Sequence, residues 1–165
     1  MIQKKVCAIG AFAVGKTSLI RRFVDNLFSE KYHTTIGVKV DQKSVQLDGT
    51  SMKLLVWDIA GEDEFQSVRM AYLRGLSGLI LVADSTRPQT LKVAVDLQAR
   101  VDAASPNVPF VLLLNKSDLG DQAALDSALL ESLEKHGWLI LKTSAKSGEG
   151  VEDAFLRLTR MMLKS

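Results

Sequence analysis

Hydrophobic residues fall along this chain in two alternating rhythms. Short unbroken apolar runs, such as Val6-Cys7-Ala8-Ile9, Leu79-Ile80-Leu81-Val82-Ala83 and Phe110-Val111-Leu112-Leu113-Leu114, have the length of strands buried on both faces. Between them lie longer stretches with apolar residues at helical spacing. The pattern predicts strands at about residues 3–9, 38–47, 52–59, 79–83, 110–114 and 138–141. It predicts helices at about 16–26, 65–74, 88–104, 122–136 and 149–163. Residues 28–36 and 61–64 are polar and read as loops.

Local chemistry sets the boundaries. Asp48-Gly49 is a hairpin turn, so the two strands it joins run antiparallel. Pro88 suits the first position of a helix, Pro106 and Pro109 bound its far end, and Gly137 sits where a helix stop belongs. Val151, Ala154, Phe155, Leu158 and Met162 form one face of the last helix, a core-facing stripe. Six strands alternating with five helices predict an α/β fold of three layers: a six-stranded, mostly parallel sheet with one antiparallel edge strand, covered on both faces. Ligands of such sheets bind beyond the carboxyl ends of the strands.

One stretch occupies such an end. Gly10-Ala11-Phe12-Ala13-Val14-Gly15-Lys16-Thr17 reads G-x-x-x-x-G-K-T, between a predicted strand and a predicted helix. This is the phosphate-binding loop pattern, and it makes the predicted fold that of a P-loop NTPase. Gly10 and Gly15 let the backbone wrap a phosphate without Cβ clashes. The N–H groups of about Ala13 to Ser18, Val14 among them, form an anion nest at the positive end of the helix. Lys16 is expected to reach the β- and γ-phosphates, and Thr17 to give its hydroxyl to Mg²⁺.

Bulk properties narrow the classes further. The chain has 165 residues, the size of one domain, so residues 1–165 are expected to form a single unit. A net charge of +2, from 21 basic and 19 acidic residues, excludes nucleic acid held on a broad basic surface. The one cysteine, Cys7, lies inside the first apolar strand and cannot form an internal disulfide, which points to a reducing, cytoplasmic compartment. No apolar run approaches the length of a membrane span. The first strand starts too early for a signal peptide, and Met161-Met162-Leu163-Lys164-Ser165 carries no cysteine for a lipid.

Five separated motifs, in order, give the chain a family resemblance: the loop above, Thr34-Thr35-Ile36-Gly37-Val38, Trp57-Asp58-Ile59-Ala60-Gly61, Asn115-Lys116-Ser117-Asp118 and Thr143-Ser144-Ala145-Lys146. Over essentially its whole length it resembles a small GTPase of the Ras superfamily, of the Rab branch, with one G domain. The resemblance implies GTP and GDP as ligands. Asp118 would accept two hydrogen bonds from the N1–H and 2-amino edge of guanine, an edge adenine lacks. The stem of Lys116 would cover one face of the base, and Phe28 would pack its aromatic edge against the base. Ser144, Ala145 and Lys146 would form the second base-reading segment, with the Ala145 N–H on the guanine O6, and Asn115 would tie the base site to the phosphate loop. Asp58 would hold Mg²⁺ through water. Thr35 would add a hydroxyl to Mg²⁺ and its N–H to the γ-phosphate, Gly61 would offer its N–H there, and Tyr32 would cover it. Catalytic roles would fall to Lys16, Thr35, Gly61 and Glu62. Loss of the γ-phosphate would release residues 28–38 and 60–72, the surfaces for effector, exchange-factor and activating proteins.

Two positions depart clearly from that pattern, and Ala13 and Ile59 depart more mildly. Glu62 stands where the family has a water-positioning glutamine. An ionised glutamate cannot donate to the transition state. At about 4 Å and an effective dielectric near 20 it repels a phosphate charge by about 4 kcal/mol. Phe12 stands where a small residue leaves room for an arginine from an activating protein. Arg69 and Arg74 are internal candidates for that arginine only because they follow the second switch segment. A slowly hydrolysing switch, a hydrolysis-deficient GTP-binding scaffold and, less well supported, a P-loop phosphotransferase all remain open.

Overall fold

The computed structural model describes residues 2–25, 38–59, 70–119 and 125–164. Six strands form one sheet: β1 (Ile2–Gly10), β2 (Val38–Leu47), β3 (Thr50–Ile59), β4 (Gly78–Asp84), β5 (Phe110–Asn115) and β6 (Ile140–Lys142). Four α-helices accompany them among the described residues: α1 (Lys16–Asp25), α2 (Pro88–Ala104), α3 (Ser127–Lys135) and α4 (Val151–Lys164). The sheet order is β2-β3-β1-β4-β5-β6. Only the β2–β3 pair is antiparallel, and its register runs from Val38 opposite Ile59 to Leu47 opposite Thr50, closed by the Asp48-Gly49 turn. The expected α/β architecture, with its antiparallel edge strand, is the one observed.

The period-two geometry of a strand divides each apolar run between two cores. In β1, Val6 and Ala8 face one helical layer while Cys7 and Ile9 face the other. In β4, Ile80 and Val82 part from Leu79, Leu81 and Ala83 in the same way. One core closes on α1 and α4, where Phe23 and Phe155 stack with ring centroids 3.9 Å apart. The other closes on α2 and α3 through Leu91, Ala94, Leu97, Val101 and Leu133. Complete burial of Cys7 pushes its thiol up to about 12, against a smaller opposing pull from Lys5.

Three local expectations shift. The helix expected from 122 begins at Ser127, because the Asp126 side chain accepts the Leu129 N–H at 3.0 Å and caps it; residues 122–124 lie outside the described set. The last strand starts at Ile140, with Trp138 turned edge-on to Phe110 at 4.8 Å. Of the helix expected at 65–74, the described part is a 3₁₀ turn, Met70–Leu73, and residues 65–69 lie outside.

The chain leaves β1 for β3 on one side and returns to β4 on the other. The switch point is therefore the carboxyl end of β1. Gly10 lies opposite Val82, Ala8 opposite Asp58, and Asp84 opposite Asn115, so the strand ends bring one glycine and three polar side chains to one rim.

Candidate functional site

The phosphate loop leaves β1 at Gly10 and enters α1 at Lys16. A Cβ on Gly10 would lie 2.5 Å from the Val82 carbonyl oxygen, so the strand can bend against its neighbour only without one. Gly15 has φ +91°, and a Cβ there would lie 2.3 Å from Asn115 Nδ2. Ala13 takes φ 63° although it is not a glycine. Ser18 follows in the first turn of α1, half-buried.

Two buried groups meet beneath the loop. Lys16, 8% exposed, forms an ion pair with Asp58, which is 1% exposed. Thr17 Oγ1 donates to the other Asp58 oxygen at 2.6 Å. One ammonium, one hydroxyl and one carboxylate thus converge at the helix start. They are the groups expected at phosphate and Mg²⁺. No cluster of three His, Cys, Asp or Glu residues occurs among the described residues. Mg²⁺ does not require one: it takes one or two protein oxygens and fills its octahedron with phosphate oxygens and water. The Thr17 hydroxyl and the Asp58 carboxylate fit that ligand set.

The residues expected to read the base form a second cluster on the same rim. Asn115, at the end of β5, donates Nδ2 to the Val14 carbonyl at 2.9 Å and accepts from Thr143 Oγ1 at 3.3 Å. Lys116 takes φ 66°, and its Nζ donates to the Ala13 carbonyl at 3.1 Å. Asp118, in the 3₁₀ turn Ser117–Leu119, is exposed, and its Oδ1 accepts from the buried Ser144 hydroxyl at 2.7 Å. Ser144 Oγ also accepts the Ser147 N–H at 3.1 Å, which curls the Ser144-Ala145-Lys146 loop under Asp118. Ser117 N–H meets the Thr143 carbonyl at 3.0 Å, so the two segments expected to read the base are joined through the backbone as well.

All the described candidates therefore gather at one rim: Gly10 to Ser18, Asp58, Asn115, Lys116, Asp118 and Ser144 to Lys146. Phe28, Tyr32, Thr35, Gly61 and Glu62 lie outside the described residues, as does Arg69. The backbone of Arg74 lies beside the amino half of β1. Its carbonyl accepts from Lys5 Nζ at 2.8 Å, and the Ser77 N–H meets the Lys5 carbonyl at 2.8 Å, in the amino half of β1.

Two residues at the rim were not foreseen. Asp84 ends β4 with 0% exposure. Thr86 gives its Oδ1 both the backbone N–H at 2.8 Å and the hydroxyl at 2.7 Å, and Lys116 Nζ lies 2.9 Å from its Oδ2. Burial pushes the Asp84 carboxyl up. The Thr86 and Lys116 hydrogen bonds and the Lys116 charge outweigh burial and hold it below the usual carboxylate range. Arg87 follows, and its guanidinium reaches the phosphate loop. The available signal was position: Asp84 directly follows a fully apolar strand and so reaches the same rim as Asp58.

Comparison with known proteins agrees with the geometry. Residues 5–164 match the model of the Ras family. The chain is similar to three Dictyostelium discoideum proteins. Ras-related protein Rab-4 is 38% identical over 163 residues, which cover 96% of this chain and 78% of that protein. Ras-related protein Rab-1C is 35% identical over 163 residues, 98% of this chain and 81% of that protein. Ras-related protein Rab-1D is 35% identical over 158 residues, 94% of this chain and 78% of that protein.

Proposed function

The chain belongs to the Ras family, and from that premise we propose that it is a guanine-nucleotide switch that binds Mg²⁺ with GTP or GDP and hydrolyses GTP slowly. Family membership carries guanine-nucleotide binding; the ion, the rate and the signalling are the proposal. The observation that supports it best is the tie between the two clusters. Asn115 grips the phosphate loop with Nδ2 and the Thr143 hydroxyl with Oδ1, so a ligand must present phosphate and base together to use both.

We assign roles accordingly. Lys16 exchanges the Asp58 carboxylate for β- and γ-phosphate oxygens, and the nest of N–H groups from Ala13 to Ser18 takes the remaining charge. Thr17 and Asp58 would hold Mg²⁺, which neutralises phosphate charge and orients the phosphates. Asp118 reads guanine, Ala145 the O6, and Lys116 covers the ring. Thr35 and Gly61 sense the γ-phosphate, and its loss releases residues 28–38 and 60–72, the surfaces through which effector, exchange-factor and activating proteins would bind. We read residues 1–165 as one G domain. A cytoplasmic setting fits the buried thiol of Cys7. No helix among the described residues is long and apolar enough to cross a membrane.

A hydrolysis-deficient scaffold is the second reading, favoured by Phe12, whose side chain is 47% exposed at the mouth of the loop, and by Glu62. Single-turnover phosphate release from protein preloaded with GTP separates the two. Slow but measurable release supports the switch, and none over many hours supports the scaffold. Failure to bind labelled GTP or GDP while binding labelled ATP overturns both.

A further inference from the structure

The phosphate loop is gripped on its outer side by a residue to which the roles above assign nothing. Arg87 precedes Pro88, the first residue of α2. Its Nη1 and Nη2 each donate to the Phe12 carbonyl at 3.0 Å, and Nη1 also reaches the Ala13 carbonyl at 3.4 Å. The side chain is 30% exposed, and Asp84 Oδ2 lies 3.8 Å from Nη1. The same Asp84 oxygen meets Lys116 Nζ, which shares the Ala13 carbonyl with Arg87. A wholly buried carboxylate thus braces two cations against consecutive carbonyls of one loop.

Peptide geometry gives that grip a consequence. In a trans peptide the carbonyl and the N–H point in opposite directions, and none of the described peptide bonds is cis. Holding the Phe12 carbonyl outward turns the Ala13 N–H inward. Holding the Ala13 carbonyl does the same for the Val14 N–H, and Asn115, on the Val14 carbonyl, does it for Gly15. These N–H groups form the nest that would receive a phosphate. Ala13 needs the help, because its φ of 63° lies in the left-handed region that an L-residue resists. A cation on each carbonyl also polarises the peptide and strengthens its N–H as a donor.

We propose that Arg87, braced by Asp84, is a positioning residue that keeps the phosphate-loop peptides turned toward the nucleotide and so sets how long the nucleotide stays bound. The proposal rests on the nucleotide-binding reading of the site. An arginine that served only to anchor α2 would change melting without changing nucleotide release.

The test loads the full chain with N-methylanthraniloyl GDP, chases it with unlabelled GDP and follows fluorescence for wild type, Arg87→Ala and Arg87→Lys. Melting of the nucleotide-free proteins is measured beside it. Arg87→Ala is expected to release nucleotide about tenfold faster, the worth of a charge-assisted hydrogen bond to a partly exposed loop. Arg87→Lys, with its charge but no fork, falls between the two. Melting is expected to stay within about 2 °C of wild type, since a loop contact at the surface contributes little to the core. Release within twofold of wild type overturns the proposal. So does faster release that only accompanies a larger loss of melting temperature, or unchanged release with slower hydrolysis per bound GTP, which would place Arg87 in the reaction itself. Failure of wild type to take up labelled GDP sinks the nucleotide reading first, and is seen before any variant is made.

Discussion

Gly15→Ala tests the geometry of the phosphate loop most directly. The backbone there has φ +91°, and an alanine held at such an angle costs about 1–2 kcal/mol. The new Cβ would stand 2.3 Å from Asn115 Nδ2, so the amide must move. Moving it breaks the 2.9 Å bond to the Val14 carbonyl, which is worth about 1 kcal/mol. Together the substitution costs about 2–3 kcal/mol, or about thirty- to 150-fold in nucleotide affinity. Most of the cost is expected in binding, because without nucleotide the loop is free to relax around the methyl group. Competition titration against labelled GDP measures it, with nucleotide-free melting as the control. The cycle with Asn115→Ala isolates the clash. Once the amide is gone, Gly15→Ala costs only its backbone term, and the two changes together fall about 1 kcal/mol short of their sum. Affinity within about twofold of wild type would refute the reasoning, and full additivity would show that the amide and the glycine do not share one space.

Asp118→Asn inverts acceptor and donor at the guanine edge, so GTP affinity is expected to fall and xanthosine triphosphate affinity to rise; calorimetry showing equal loss for both refutes the contact. Glu62→Gln is expected to raise single-turnover hydrolysis by removing the charge repulsion, and Phe12→Gly to raise it further only in combination; a fall in rate on Glu62→Gln would mean that the carboxylate itself orients water. Cys7, pushed up to about 12 by burial, keeps its proton in the folded protein at pH values where the unfolded thiol has lost it. Its contribution to stability is therefore full below about pH 9 and shrinks toward pH 12, visible as a closing gap between wild type and Cys7→Ala in denaturant midpoints; a gap constant over that range contradicts the burial effect.

The carriers of the site lay open in the sequence because they follow from short-range rules. Gly10, Gly15, Lys16 and Thr17 are spaced along one strand-to-helix turn, and Asp58 and Asn115 each terminate an apolar run. A parallel sheet sends every such terminus to the same rim, so alternation of strands and helices was enough to predict that these residues meet. The same rule predicts which face a strand residue takes, as Val6 and Cys7 show. Boundaries were less legible. The amphipathic pattern before Ser127 looks helical, but the Asp126 carboxylate fixes where the first turn starts, and that depends on one hydrogen bond.

What the sequence by itself determined is the order of elements and the two-sided core, since each is a matter of period within a few residues; the roles expected of its phosphate- and base-binding motifs came from the loop pattern and from the family resemblance. What only the tertiary structure decided is which distant groups support those motifs. Arg87 is 75 positions from Phe12, and nothing in its local pattern separates it from Arg74, whose backbone carbonyl meets Lys5 at the amino half of β1. The difference arises from β4 lying beside β1 with its carboxyl end level with the loop, so the residues that follow it reach the loop's carbonyls. A long, flexible cation has no periodicity to betray its partner. Its position is set by where the sheet ends and by the buried carboxylate of Asp84 that holds it there.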